Sequence, residues 1–314
     1  MTSPVIASIK VGLAILAALY ISLMSLYAGW IRRKVRAKVH GRVGPPWWQE
    51  YADLAKLLFK EDLMPPTANY GLFTVTPALC LAAALTLSVA VFPIFYSLSD
   101  LILVAYLLMT VSVCLVLAGY ASNNPYSIVG SRRALLGLLL YELPFVIVLI
   151  TIFMLTGTTN IFEIISWQIK HGPLIMYLPL SAAAFILCTP IKVILNPFSI
   201  VTAETELMEG VLLEYSGRRL AVLELAHKME FYILAVLFSI VFTSWWVYEY
   251  NLALWCLWVI FVSLLFILVA SFVDALTARL QPYKASKFYW IITTALSVIN
   301  LVAVIVPKIL GVLP

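Results

Sequence analysis

The chain has 314 residues, of which 63% are apolar and 11% charged, with a formal net charge of +5 and a mean hydropathy of +1.03. Soluble domains are about half apolar and about a quarter charged, so this composition excludes a water-soluble fold. Charge-free runs such as Leu72 to Ser99 and Leu252 to Val273 exceed the roughly 20 residues that cross a bilayer core. They are continuous and do not alternate, which excludes a β-barrel.

The sequence predicts an all-α polytopic membrane protein, residues 1–314 forming a single integral membrane domain. Eight transmembrane helices are expected over about 11–31, 71–96, 101–121, 134–156, 174–195, 231–249, 252–273 and 288–311. The first begins after Lys10 and ends in a basic cluster, so it is too long and wrongly flanked for a cleaved signal peptide. Of the 20 Lys and Arg residues, all but Lys10, Lys170 and Lys308 fall in the odd-numbered loops. That asymmetry predicts both termini outside and the long loops 32–70 and 196–230 in the cytoplasm.

The first cytoplasmic loop opens with Arg32-Arg33-Lys34-Val35-Arg36-Ala37-Lys38, a stop-transfer run suited to anionic headgroups. After Pro45-Pro46 an amphipathic helix is expected. Trp47, Tyr51, Leu54, Ala55 and Leu58 share one face; Gln49, Glu50, Asp53, Lys56 and Lys60 share the other.

Within the fourth span lies Leu140-Tyr141-Glu142-Leu143-Pro144. An intramembrane carboxylate costs a few kcal/mol to insert, and such residues face a bundle interior or water and serve ion paths. Pro144 also leaves a backbone carbonyl free. The competing reading pairs Glu142 structurally with Lys192, Arg132 or Arg133.

The fifth loop carries Glu204, Glu206, Glu209, Glu214, Glu224 and Glu230, interleaved with apolar residues such as Val211-Leu212-Leu213. On a helix Glu206 and Glu209 share a face. Partial burial would raise such carboxylates toward neutrality, which suits proton exchange. The alternative is an acidic surface helix that docks a basic partner. Asp274 reads as a helix-end residue near Arg279.

The four cysteines, Cys80, Cys114, Cys188 and Cys256, are dispersed in apolar runs with no CxxC, so no iron–sulfur or zinc site is encoded. His40, His171 and His227 form no HExxH, and no glycine-rich phosphate loop occurs. The chain is expected to hold no metal, no cofactor and no active site of its own. A secondary transporter would favour inverted repeats, and a membrane enzyme paired Asp motifs or a His/Ser constellation. Neither pattern is present.

Four stretches taken together resemble a known family. They are Gly41-Arg42-Val43-Gly44-Pro45-Pro46 followed by Asp53 to Asp62; Gly119-Tyr120-Ala121-Ser122-Asn123-Asn124; Tyr141-Glu142-Leu143-Pro144; and Glu204-Thr205-Glu206-Leu207 with Glu214-Tyr215-Ser216-Gly217. In this order they resemble the membrane subunit that joins the redox arm to the pumping arm in respiratory complex I, its subunit 1 family. That family also occurs in energy-converting membrane-bound hydrogenases and related sulfur-reducing complexes. Quinone-linked members read Arg-x-Pro-Phe-Asp-x-Pro-Glu-Ala-Glu at the start of the acidic loop. Here Asn196, Ser199 and Thr202 replace the Arg, the Asp and the second Pro. The stretch Glu206 to Ala221 looks more like the hydrogenase branch.

The resemblance implies that the first and fifth loops form a platform for a peripheral redox module, and that buried acids lead protons laterally. Carried over by motif, Glu142, Glu204, Glu206, Glu209 and Glu214 become proton-path candidates, and Arg36, Arg42, Lys56 and Lys60 docking candidates. The implied partners are hydrogenase-like and iron–sulfur subunits on the cytoplasmic side and antiporter-like subunits in the membrane. Iron–sulfur clusters and a NiFe centre would belong to those partners.

Overall fold

A backbone in hydrocarbon must satisfy its hydrogen bonds internally, which leaves long apolar segments little choice but helix. The computed structural model describes residues 4–93, 95–96, 98–244 and 252–309. Helix accounts for 79% of it, and no strand occurs among the described residues.

Helix α1 (Pro4–Val39) runs through the basic cluster where the sequence suggested a loop. Lys and Arg are good helix formers, and no breaker intervenes before Gly41. Gly41 takes a left-handed φ of +70°, and the Arg42 amide turns back to the Ala37 carbonyl at 2.7 Å. Helix α2 (Gln49–Phe59) is the expected amphipathic segment. Helices α3 (Tyr70–Ala90), α4 (Leu101–Ala121) and α5 (Pro125–Thr156) start at Asn69, Asp100 and Asn124, whose side chains accept early backbone N–H groups. Then come α6 (Ile161–His171), α7 (Leu174–Tyr177), α8 (Pro179–Lys192), α9 (Glu204–Leu207) and α10 (Gly217–Thr243). Helix α11 (Leu252–Leu276) follows, and α12 (Pro282–Lys287) continues through a π-helical segment, Phe288–Thr293, into α13 (Thr294–Ile309).

Seven helices are long and apolar enough to cross a membrane. The expected fifth span, 174–195, is instead split into α7 and α8 at Leu178 (φ −125°, ψ 53°). Pro179 has no N–H to carry the helix across that point. The 14 residues of α8 rise about 21 Å at ~1.5 Å each, less than the ~30 Å hydrocarbon core. Residue 94 of the second expected span, 245–249 of the sixth and 310–311 of the last lie outside the described residues.

Helix α10 is the centre of the bundle. Every residue from Met229 to Phe242 is buried, with α1, α3 and α11 against it; a helix apolar all round belongs inside. On the periphery Leu257, Phe261, Leu265 and Phe272 of α11 are exposed, a surface suited to hydrocarbon.

At one end of the bundle the first and fifth loops lock together. The Leu63 amide donates to Ser216 Oγ at 2.9 Å, and Arg219 meets Asp62 at 3.4 Å. Gly217 has φ +54°, and a Cβ there would lie 2.5 Å from the Glu61 carbonyl oxygen. Only glycine fits this contact.

Candidate functional site: a buried charge relay behind the acidic loop

The acidic loop is strapped at its start by the end of α11. Asp274 Oδ1 accepts the Asn196 amide at 2.9 Å, and Arg279 Nε donates to Ser199 Oγ at 3.1 Å. Helix α9 lasts one turn, because Met208 (φ 49°), Glu209 (φ 77°) and Gly210 (φ 59°) are all left-handed. The expected shared helical face of Glu206 and Glu209 is therefore absent. Their partial burial is absent too: both side chains are exposed, while Leu207 and Val211 turn inward. The loop buries its apolar residues and presents these acids.

Glu206 pairs with Arg133 at 2.6 Å. Glu214, half-buried, accepts a hydrogen bond from Asn124 Nδ2. Next to it the Tyr215 hydroxyl donates to the Ala118 carbonyl at 3.2 Å, and its ring stacks on Phe73 at 4.1 Å. The side chain of Glu204 lies outside the described residues. The fifth loop thus contacts the stretch 119–124 as well as the first loop.

Behind the loop lies a buried polar chain. Lys192, at the end of α8, and Glu230, on α10, sit 3.3 Å apart with side chains 1% and 0% exposed. Lys192 Nζ also reaches the Tyr141 hydroxyl (2.9 Å) and the Leu108 carbonyl (3.3 Å). Three acceptors for three ammonium donors fit the charged form. The Tyr141 hydroxyl in turn donates to Ser112 Oγ at 2.8 Å.

On the other side of Glu230 stands His227, its Nδ1 3.4 Å from Glu230 Oε2 and its Nε2 3.1 Å from the Val193 carbonyl. A carbonyl only accepts, so Nε2 carries a proton. A neutral imidazole would then turn a bare Nδ1 lone pair toward a carboxylate. The pair therefore holds one proton between two acceptors, as imidazolium and carboxylate or as imidazole and carboxylic acid. Such a unit passes a proton with little rearrangement.

Glu142 follows Tyr141 on α5 and faces away from this chain. It is half-buried and lines a groove of about 350 Å³ with Leu101, Ala105, Tyr106, Val146 and Leu149. It has no ion pair among the described residues, and Lys192, its nearest charged influence, is committed to Glu230. The structural pairing of Glu142 with Lys192, Arg132 or Arg133 is not met.

Outward of His227 the chain opens into a cavity of about 250 Å³ between α1, α2, α10 and the fifth loop. Glu50 is 1% exposed here, with Oε1 2.6 Å from Arg33 Nε and Oε2 2.8 Å from Lys228 Nζ. Lys228 also meets Glu224 at 3.3 Å, and Arg33 meets Asp53 at 2.8 Å. Partial burial raises the Asp53 carboxyl, but hydrogen bonds from Arg33 and Gln49 outweigh it and hold the group below its usual value. The polar face of α2 thus turns partly inward, correcting the expectation of a solvated face, while Trp47 and Trp48 are exposed. Arg36, Arg42, Lys56 and Lys60 are all exposed and make no ion pair among the described residues, which leaves their charges open to a partner.

Sequence reasoning nominated Glu142 but missed Glu50, His227, Glu230 and the role of Lys192. Each is one polar residue on a helix whose other turns are apolar, and only the fold shows which helices bring them together. The signal that was available is the cost of burying Lys192 or Glu230 alone.

The family described as NADH dehydrogenase matches residues 11–305. A membrane-complex relative from Brevibacillus brevis, one subunit of its NADH-quinone oxidoreductase, is 31% identical over 297 residues, covering 89% of this chain and 88% of that protein. The corresponding NADH-quinone oxidoreductase chain of Bacillus cereus (strain B4264) is 32% identical over 247 residues, 75% of this chain and 74% of its own. Among solved structures, a chain of the membrane-bound sulfane sulfur reductase, an archaeal respiratory membrane complex, superposes with a TM-score of 0.84 at 28% identity. The match covers 93% of this chain and 98% of that one. Near full-length agreement in sequence, fold and motif order places the chain in the NADH dehydrogenase family, the complex I subunit 1 family that its motifs resemble.

Proposed function

We propose that this chain is the membrane coupling subunit of a redox-driven ion pump, docking a peripheral electron-transfer module and passing protons laterally through buried carboxylates. The observation that carries this reading is the polar chain from the cavity through His227, Glu230 and Lys192 to Tyr141, with Glu142 beyond it in an outward groove. Protons enter from the cavity, cross the His227–Glu230 unit, and reach Glu142, whose groove is the exit toward antiporter-like subunits. Glu206, Glu209 and Glu214, with Glu204, form the acidic approach on the platform. Arg36, Arg42, Lys56 and Lys60 meet the peripheral module. In this reading α7 and α8 together complete an eighth crossing, both termini lie outside the cell membrane, and loops 32–70 and 196–230 face the cytoplasm.

The electron-transfer centres, iron–sulfur clusters and a NiFe site, sit in hydrogenase-like partner subunits. The loss of the Arg and Asp of the quinone-linked motif at Asn196 and Ser199 supports a hydrogenase or sulfur-reducing parent complex. A quinone-reducing parent is the second reading, favoured by the likeness to the NADH-quinone oxidoreductase chains of Brevibacillus brevis and Bacillus cereus. Glu142→Gln tests the coupling role, since glutamine keeps size and hydrogen bonding but cannot exchange a proton near neutral pH. The variant complex is expected to assemble and retain redox activity with an artificial donor, while ion translocation in sealed vesicles falls sharply. Unchanged pumping per electron would remove Glu142 from the path.

A further inference from the structure

The cavity between α1, α2, α10 and the fifth loop holds more cationic groups than its own acids engage. Arg33 is taken by Glu50 and Asp53, Lys228 by Glu50 and Glu224, and His227 by Val193 and Glu230. Arg32 alone is left. It lines the cavity, is only partly exposed, and makes neither a hydrogen bond nor an ion pair among the described residues. The acids whose field it feels, Asp274 and Glu50, are committed elsewhere: Asp274 to the Asn196 amide, Glu50 by one oxygen each to Arg33 and Lys228. A sheltered guanidinium with five unengaged N–H donors calls for an anionic, multi-oxygen acceptor, and phosphate matches its planar fork.

Two further features fix the kind of phosphate. The rest of the wall is apolar, contributed by Leu115, Val193, Val201, Val211, Leu223 and Phe231. Arg32 also stands where α1 passes from its apolar run into its basic run, beside the amphipathic α2, which is headgroup depth in a bilayer. We infer that this cavity binds the phosphodiester headgroup of a phospholipid, with Arg32 gripping the phosphate and the apolar wall receiving the start of an acyl chain. The volume of about 250 Å³ suits a headgroup and not a whole lipid.

The test is native mass spectrometry of the delipidated, assembled complex. The probes are dioleoylphosphatidylglycerol, dioleoylglycerol, which has the same chains without phosphate, and inorganic phosphate. One phosphatidylglycerol should survive activation that strips peripheral lipid, and dioleoylglycerol should not. Arg32→Gln should weaken retention about tenfold, Arg32→Lys by less because charge remains without the fork, and Lys38→Gln, exposed on the same helix, not at all. Thermal stability of each variant, matched to wild type, separates loss of the site from loss of the fold. Retention unchanged in Arg32→Gln, or dioleoylglycerol held as well as phosphatidylglycerol, overturns the inference. Full displacement of the lipid by millimolar inorganic phosphate also overturns it, by assigning the site to a free anion.

Discussion

The Lys192–Glu230 pair allows the structural and the proton-carrying roles of one contact to be separated. Both side chains are essentially inaccessible, at 1% and 0%, so Glu230→Leu strands the Lys192 ammonium. Removing one partner of a buried pair costs about 3–5 kcal/mol, which should lower the inactivation temperature of the purified complex by on the order of 10 °C. Lys192→Met alone should behave similarly, because neither Glu230 oxygen has a hydrogen bond from the rest of the protein. Combining the two replaces the pair by apolar side chains of similar volume, a change that is neutral or stabilising by about 1–4 kcal/mol. The double variant should therefore regain wild-type stability and assemble, yet translocate no ions in sealed vesicles while its redox module still turns over an artificial donor. A double variant that pumps at the wild-type ratio per electron would refute the relay. A stable Glu230→Leu single variant would refute the energetic argument beneath it.

Reversing Lys56 and Lys60 to Glu should reduce co-purification of the peripheral module without affecting insertion, since both side chains are exposed and unpaired among the described residues; a fully retained complex would make α2 a lipid anchor only. For topology, Met208→Cys and Met176→Cys, both at exposed sites, should respond oppositely to a membrane-impermeant thiol reagent in a Cys256→Ser background. Met176→Cys should label from outside intact cells and Met208→Cys should not. Gly217→Ala should destabilise by about 1–3 kcal/mol and loosen the two loops, as read by proteolysis, whereas Gly12→Ala, with open space around it, should be silent.

Much of the fold was legible because hydrocarbon constrains a chain so strongly. Apolar length and the distribution of Lys and Arg mark seven of the crossing helices, and Asn69, Asp100 and Asn124 mark where three of them begin. The fifth span failed at Leu178-Pro179, where apolar composition continues but the hydrogen-bond ladder does not. Glu142 was legible because a lone carboxylate stands out in an apolar run. Glu206 and Glu209 were misplaced because a helical pattern was extended across Met208-Glu209-Gly210, whose left-handed backbone leaves only the glycine as a signal. The Lys192–Glu230 pair was out of reach, since its partners lie on different helices and neither flanking sequence announces the other.

The same buried pair bears on how the chain is made. Helix α8 is short and ends in a lysine, and α10 carries Glu224, His227, Lys228 and Glu230 along its first turns. Neither is a strong independent candidate for partitioning into lipid as it leaves the ribosome, because each charge near a helix centre opposes insertion by about 2.5–3.5 kcal/mol. The earlier helix must wait, partly exposed or held at the translocation machinery, until the later one emerges and neutralises it. Biogenesis of this protein is then cooperative across its middle third, and a truncation between α8 and α10 should leave a polypeptide that membrane quality control degrades.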